Sequence, residues 1–218
     1  YRPVRKMGTT SEIALRLANQ AAIPSAPHRL IEVSGKRVLL TQRFDRVRGQ
    51  RIPFLSAMAM LGRQDGESAS YPEIAEIFFL QDSQGKAEAQ ALYRRMAFNV
   101  LISNVDDHLR NHGFLWSEDR RWHLSPAYDL NPVPSDIKAR VLSTHIDLDD
   151  GTCSLDLLEA ASGYFELSLG QARSIIRDVA TVTANWRNVA KAAGARGSEI
   201  NRMASAFEHT ELRHALRL

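Results

Sequence analysis

The sequence contains a single cysteine, Cys153, so no disulfide can form within the chain. Such sparing use of cysteine is typical of proteins in a reducing compartment, and we expect a cytoplasmic location. No apolar run is long enough to cross a membrane and the first residues lack a secretory signal pattern, so no membrane association is predicted. The formal net charge of +3 over 218 residues also excludes the dense basic stripe of a dedicated nucleic-acid-binding protein.

The chain also lacks an initiating methionine. It begins with Tyr-Arg-Pro-Val, and from that start we expect a piece of a longer protein. Hydrophobic residues make up 44% of the chain, enough for one sizeable globular unit or for a main domain with a small appendage. We find neither an internal repeat nor a low-complexity linker in the sequence.

The N-terminal part has the pattern of a small α/β unit. Residues 9–22 place apolar side chains on one helical face, and Pro24 ends this helix. Residues 29–33 and 37–44 flank a turn at Ser34-Gly35, which predicts a β-hairpin. The second strand of this hairpin has the continuous apolar character of a buried strand, so we expect it to lie inside the protein.

Helices dominate the rest of the chain. The predicted helices cover residues 52–61, 71–81, 87–105, 154–162, 168–193 and 197–214, and a small hairpin covers 112–116 and 120–125. The long central helix is expected to turn four apolar side chains inward, namely Leu92, Met96, Val100 and Leu101. The predicted fold class is therefore α+β and mostly helical, with a small α/β start before a large helical part.

A polar run interrupts the apolar sequence between the long helix and the small hairpin. Within FNVLISNVDDHLRNHGFLW, Asp106 and Asn111 are five positions apart, and Asp129 lies beyond the hairpin. Phosphoryl transfer requires a carboxylate near the acceptor hydroxyl and oxygen ligands that hold magnesium against the phosphates. Protein kinases carry the carboxylate and one metal ligand on one loop at this spacing. The pattern therefore predicts a phosphoryl-transfer site.

The same polar run allows simpler interpretations. Aspartate and asparagine favour turns, so these side chains can cap the local backbone. His108 and His112 are four apart and, together with Asp107, would bind zinc if they lay on a helix, although Gly113 favours a loop. Asp107 lacks the five-residue offset to an asparagine, so we expect it to support the loop rather than act as a second catalytic carboxylate.

Four segments together resemble the HipA-like kinases, which are the toxin halves of bacterial toxin–antitoxin pairs. These segments are SEIALRLANQAAIP, LLTQRFDR, NVLISNVDDHLRNHGFLW and RRWHLSPAYDLNPVP. The resemblance covers nearly the whole chain and implies a serine/threonine protein kinase with an atypical kinase fold. It implies a small lobe and hinge over residues 1–50 and a helical lobe over residues 51–218.

The resemblance also implies roles for individual residues. Asp106 would be the catalytic base, while Asn111 and Asp129 would bind Mg²⁺. The residues implied to bind ATP are Gln42, Arg43, Phe44, His108, Leu109, Arg110, Asn111, Tyr128 and Asp129. Gln42 and Phe44 would use backbone groups at the hinge, so the replacement of the family's usual glutamate by Gln42 matters little.

The resemblance has one gap and implies several partners. The family's phosphate-covering loop and ATP-contacting lysine have no counterpart before Thr9, and Lys6 stands too close to the first helix to replace that lysine. The implied partners are a helix-turn-helix antitoxin, operator DNA through that antitoxin, and a protein substrate such as an aminoacyl-tRNA synthetase. An inactive or truncated kinase core that only binds the antitoxin–DNA complex remains the alternative.

Overall fold

A computed structural model describes residues 7–81 and 85–218 of the chain. The helices are α1 (Met7–Gln20), α2 (Ala57–Met60), α3 (Tyr71–Phe79), α4 (Gly85–Leu101), α5 (Leu155–Ala161), α6 (Leu169–Ala184), α7 (Trp186–Ala192), α8 (Gly197–Phe207) and α9 (Thr210–Ala215). The strands are β1 (His28–Val33), β2 (Lys36–Thr41), β3 (Arg46–Val47), β4 (Gln50–Arg51), β5 (Phe54–Ser56), β6 (Gly113–Trp116) and β7 (Trp122–Leu124). The fold thus combines helices with short strands, and helices predominate over strands, as predicted.

Helix α1 packs against the hairpin formed by β1 and β2. The approach is close at Gly8, where a Cβ atom would lie 2.9 Å from the Arg37 carbonyl oxygen. The prediction that β2 is a buried strand is wrong, because Val38 and Leu40 are each 38% exposed. This sheet has only two strands and α1 covers one of its faces, so alternate side chains of β2 point away from the core.

The small hairpin predicted after the polar run is confirmed, and it belongs to a three-stranded antiparallel sheet in the order β5-β6-β7. The helix predicted over residues 52–61 is wrong in its first half, because Phe54 and Leu55 pair with Leu115 and Phe114 of β6. The helical half begins only after Ser56, whose hydroxyl accepts a hydrogen bond from the Ala59 N–H.

Helix α4 is the centre of the helical part and packs against α3 and α6. Its four apolar side chains are fully buried, as predicted, namely those of Leu92, Met96, Val100 and Leu101. Helix α3 has a reciprocal cap, in which Ser70 and Glu73 each accept a hydrogen bond from the backbone N–H of the other. Within the described residues, no helix is long and apolar enough to cross a membrane.

Both long C-terminal helices of the prediction are interrupted. The segment 168–193 breaks at Asn185, which lets Trp186 turn inward and stack on Phe207 at a centroid separation of 4.6 Å. The segment 197–214 breaks at His209, whose Nδ1 accepts a hydrogen bond from the Leu212 N–H and so caps α9. Tertiary packing and side-chain capping outweigh helix propensity at both positions.

Candidate active site

The polar run forms a loop that leaves the C-terminal end of α4. Asp106 is exposed on this loop, while its neighbour Asp107 is only 1% exposed. A single 3-10 turn at Leu109–Asn111 follows, and the Asn111 N–H donates to the His108 carbonyl at 2.8 Å. The Asn111 Nδ2 donates to the Asp106 carbonyl at 3.1 Å, which leaves the Asn111 Oδ1 available for a ligand.

Asp129 is brought to this loop by its neighbours. The Tyr128 hydroxyl donates to the Arg110 carbonyl at 2.6 Å, which holds the segment beside the 3-10 turn. Burial raises the pKa of Tyr128 to about 12, so the hydroxyl stays protonated and able to donate at neutral pH. Asp129 itself is exposed and has a φ of 53°, in the left-handed region that aspartate tolerates better than most residues.

The predicted hinge lies against the same segment. The Phe44 ring packs on Tyr128 at 5.5 Å between centroids and on Phe54 at 6.0 Å. The Gln42 N–H donates to the Pro27 carbonyl at 2.7 Å. Across residues 7–81 and 85–218, no hydrogen bond of the protein uses the Gln42 carbonyl or the Phe44 N–H. A cavity of about 300 Å³ borders Gln42 at the foot of the β1–β2 hairpin.

Arg43 does not point freely toward a ligand. Its Nε donates to Asp45 Oδ1 at 2.7 Å, and the Arg46 Nη1 donates to the other carboxylate oxygen at 2.5 Å. The Arg43 guanidinium lowers the pKa of the buried Asp45 carboxyl to about 2, with a smaller contribution from Arg46. The two arginines therefore anchor the chain just after Phe44.

The remaining predicted ATP-binding residues differ in how far they reach the surface. Leu109 is 4% exposed and packs in the core, so only its backbone can face a ligand. Arg110 is exposed and forms an ion pair with Asp65. The His108 Nδ1 is buried and has no hydrogen-bond partner among the described residues. Lys6 lies outside the described residues.

Asp107 belongs to a buried polar cluster and not to a metal site. Its carboxylate accepts a hydrogen bond from the Tyr71 hydroxyl and lies 3.0 Å from the His112 Nε2. Burial raises the pKa of Tyr71 well above its usual value, so the phenol remains a donor. Throughout the described part of the chain, no three His, Cys, Asp or Glu residues are arranged to hold a metal ion, and the zinc interpretation of Asp107, His108 and His112 is wrong.

Several residues of this region were missed by the sequence analysis. Phe54 supports the hinge through Phe44, and three asparagines connect the buried cluster to Asp129, namely Asn99, Asn104 and Asn131. Asn99 and Asn104 are at most 1% exposed. Their position inside an otherwise apolar stretch was the available signal, because a buried amide requires hydrogen-bond partners.

Sequence comparisons match the chain to one family and to two relatives with provisional kinase names. The profile of the HipA-like C-terminal domain matches residues 6–186. The chain is 29% identical over 119 residues to Y4dM of Sinorhizobium fredii, provisionally named a kinase, and 27% identical over 86 residues to a protein of Haemophilus influenzae with the same provisional name. These matches cover 53% and 38% of this chain but only 28% and 25% of the relatives, so the chain spans about a quarter of their length.

Structural comparisons agree on the fold. HipA of Shewanella oneidensis, solved in complex with HipB and its operator DNA, superposes with a TM-score of 0.77 at 17% identity, over 98% of this chain and 56% of HipA. The proinflammatory kinase CtkA of Helicobacter pylori superposes with a TM-score of 0.54 at 14% identity, over 99% of this chain and 89% of CtkA. At these identities, the matches concern the fold alone.

Proposed function

This chain belongs to the HipA-like C-terminal domain family, and from that premise we propose that it is the catalytic part of a protein kinase. In this proposal, the γ-phosphate of ATP is transferred to a serine or threonine hydroxyl of a protein. Residues 1–50 contribute to a small lobe and hinge, and residues 51–218 form the helical lobe. The names of the curated relatives and the kinase neighbour support kinase-like chemistry.

The observation that carries this proposal is the convergence of three separate segments. The loop at Asp106, the segment at Asp129 and the hinge at Phe44 are distant in sequence, and Tyr128 contacts two of them directly. Phosphoryl transfer depends mainly on positioning and electrostatic stabilisation, so a rigid arrangement of such groups is what the reaction requires.

The oxygen donors of the site fit a magnesium ion. The Asn111 amide nitrogen donates to the Asp106 carbonyl, so the Asn111 Oδ1 is the atom proposed to bind the ion. The Asp129 Oδ1 accepts a hydrogen bond from Asn131 at 2.7 Å, which leaves its Oδ2 as a ligand. One amide and one carboxylate oxygen suit Mg²⁺, which retains several waters and contacts phosphate oxygens when bound, thereby neutralising charge on the transferred group.

Asp106 is proposed to orient the acceptor hydroxyl and to receive its proton. Its exposure permits contact with a protein substrate, while the adjacent 3-10 turn holds its backbone. At the other end of the site, the Gln42 carbonyl and the Phe44 N–H form one acceptor and one donor for adenine. Tyr128 and His108 are proposed to contact the nucleotide, together with backbone groups of Leu109 and Arg110.

The proposed partners follow the HipA neighbour. Because HipA of Shewanella oneidensis was solved with HipB and operator DNA, we propose that this protein pairs with a helix-turn-helix antitoxin and reaches operator DNA through it. An aminoacyl-tRNA synthetase is the proposed class of protein substrate. These assignments concern the whole protein, of which the chain matches a part.

Calorimetric titration of Mg-ATP tests the nucleotide site. Binding by the unmodified protein should require Mg²⁺ and should be lost on Asp129→Ala. The matched control is Asp149→Ala, because Asp149 is also an exposed aspartate but has no assigned role in the site, and Mg-ATP binding by this variant should be unchanged. In phosphotransfer assays, Asp106→Ala should retain binding and lose transfer. Normal transfer by Asp106→Ala or Asp129→Ala would refute the assigned roles, and absence of Mg-ATP binding by the complete protein would favour the inactive binding module.

A further inference from the structure

A continuous chain of hydrogen bonds, buried between Asp107 and Asn104, joins the loop of Asp106 to the exposed Asp129. It begins at Asp107, whose carboxylate accepts from the Tyr71 hydroxyl. That hydroxyl accepts from the Asn99 Nδ2 at 2.8 Å, and the Asn99 Oδ1 accepts from the Asn104 Nδ2 at 3.1 Å. Tyr71, Asn99, Asn104 and Asp107 are each at most 1% exposed, so water cannot replace their partners.

The chain continues from Asn104 to the Asp129 carboxylate. The Asn104 Oδ1 accepts from the backbone N–H of Asn131 at 2.9 Å. The Asn131 Nδ2 then donates to the Asp129 Oδ1 at 2.7 Å, and the Asn131 Oδ1 accepts from the Ser11 hydroxyl of α1 at 2.7 Å. Asn131 is therefore held on both sides. Asn131 in turn holds the carboxylate of Asp129, a residue whose backbone has a left-handed φ.

The direction of each hydrogen bond from Asn131 back to Asp107 is determined by one group. The backbone N–H of Asn131 can only donate, so Asn104 must turn its oxygen toward Asn131 and its nitrogen toward Asn99. Asn99 must then turn its nitrogen toward Tyr71, which leaves the Tyr71 hydrogen for Asp107. A flip of either amide would place two donors or two acceptors against each other inside the protein, so the arrangement has a single consistent orientation.

Resting on the kinase function proposed above, we infer that Asn104 is a positioning residue that orients the Asp129 carboxylate for Mg²⁺ and couples it to the loop carrying Asp106. Asn104 touches neither substrate nor metal in this proposal. It acts through Asn131 on one side and through Asn99 and Tyr71 on the other. Its removal should leave Asp129 present but free to adopt other orientations, which weakens metal binding without removing the ligand.

The test compares the Mg²⁺ requirement of ATP binding in three variants. We expect Asn104→Ala to raise the half-saturating Mg²⁺ concentration about 10-fold or more, as is usual when a residue that orients a metal ligand is removed. Tyr71→Phe should cause a smaller rise, because Tyr71 is two hydrogen bonds further from Asp129 than Asn104 is. Tyr93→Phe is the matched control, because this tyrosine is also fully buried and its hydroxyl donates to the Leu158 carbonyl at 2.8 Å, outside the chain.

Two precautions separate positioning from loss of folding. Each titration is carried out below the melting temperature of the least stable variant, with circular dichroism confirming the native state. Where Asn104→Ala does not fold, Asn131→Ala replaces it, because Asn131 is only half-buried and its backbone N–H remains. This variant removes the side-chain contacts to Asp129 and Ser11 and should raise the Mg²⁺ requirement in the same way.

The outcomes distinguish this inference from the proposed function. A raised Mg²⁺ requirement in Asn104→Ala but not in Tyr93→Phe supports positioning. The positioning role is overturned if Asn104→Ala needs the same Mg²⁺ concentration for ATP binding as the unmodified protein, or if Tyr93→Phe shows the same rise as Asn104→Ala. Either result leaves the kinase site intact. Absence of Mg²⁺-dependent binding by the unmodified protein overturns the proposed function itself, and the positioning role with it.

Discussion

A side chain at Gly113 is expected to destabilise the protein, because β6 begins there against Phe54, which packs on the hinge residue Phe44. A Cβ atom at this position would overlap the Phe54 ring and lie 2.7 Å from the Ser125 Oγ. The Phe54 ring cannot swing away easily, since it packs on Phe44 and Tyr128 at centroid separations of 6.0 and 6.4 Å. The backbone φ of Gly113 is not in the left-handed region, so this overlap alone decides the effect of Gly113→Ala.

The expected loss follows from the cost of overpacking a core. Such substitutions typically destabilise by about 1–3 kcal/mol. For a chain of 218 residues, a loss of about 2 kcal/mol corresponds to a fall in melting temperature of roughly 4–8 °C. Because displaced Phe54 also disturbs Phe44 and Tyr128, Gly113→Ala should weaken nucleotide binding at the proposed hinge as well.

Thermal and urea unfolding of four variants would measure this effect. Gly170→Ala is the matched control, because a Cβ atom there, in the first turn of α6, meets open space and should not destabilise the protein. Phe54→Leu should relieve the clash, so the double variant with Gly113→Ala should be more stable than the sum of the single effects by about 0.5 kcal/mol or more. An unchanged melting temperature for Gly113→Ala, or strict additivity with Phe54→Leu, would refute the reasoning.

Two further predictions concern titrating groups. Burial raises the pKa of Cys153 to about 12, although Arg140 opposes the rise. A thiol reagent at pH 8 should therefore modify the protein only after unfolding. Rapid labelling of the native state would contradict this prediction. Burial, with a smaller contribution from Arg140, lowers the pKa of His209 to about 4, whereas the pKa of histidine in an unfolded chain is about 6.5. As the pH falls, the unfolded state therefore binds the proton first, and the protein loses stability from about pH 6.5 down to pH 4. By urea unfolding, protonation of His209 should make the protein about 2 kcal/mol less stable at pH 5 than at pH 7.5. His209→Asn retains a capping acceptor and should remove this part of the dependence of stability on pH. The same pH dependence in the variant would exclude His209 as the cause.

Local patterns predicted the elements whose causes lie within a few residues. The turn at Ser34-Gly35 predicted the first hairpin, and α3 begins at Tyr71, the first residue of the helix predicted over 71–81, with Pro72 near its start. The helix predicted over residues 52–61 was wrong because Phe54 pairs with Leu115, which lies 61 positions away in the chain. No window of local sequence contains that partner.

The candidate site divides in the same way. The spacing of Asp106, Asn111 and Asp129 was visible in the sequence, and the structure brings their segments together through Tyr128 and Arg110. The difference between the neighbours Asp106 and Asp107 was indicated only by their offset from Asn111. In the structure, Asp106 is exposed and Asp107 is buried. The partner that accommodates the buried Asp107 is the Tyr71 hydroxyl, which lies 36 positions upstream and donates to its carboxylate.

The sequence by itself therefore determined the helical and strand propensities, the order of the polar residues and the family to which the chain belongs. Only the tertiary structure decided which face of β2 is covered, where the C-terminal helices break at Asn185 and His209, and how Asn104 connects Asp107 to Asp129. The physical reason is the distance along the chain over which each effect acts. Propensities and caps act over about one helical turn, whereas burial and buried hydrogen bonds depend on residues that meet only when the chain has folded.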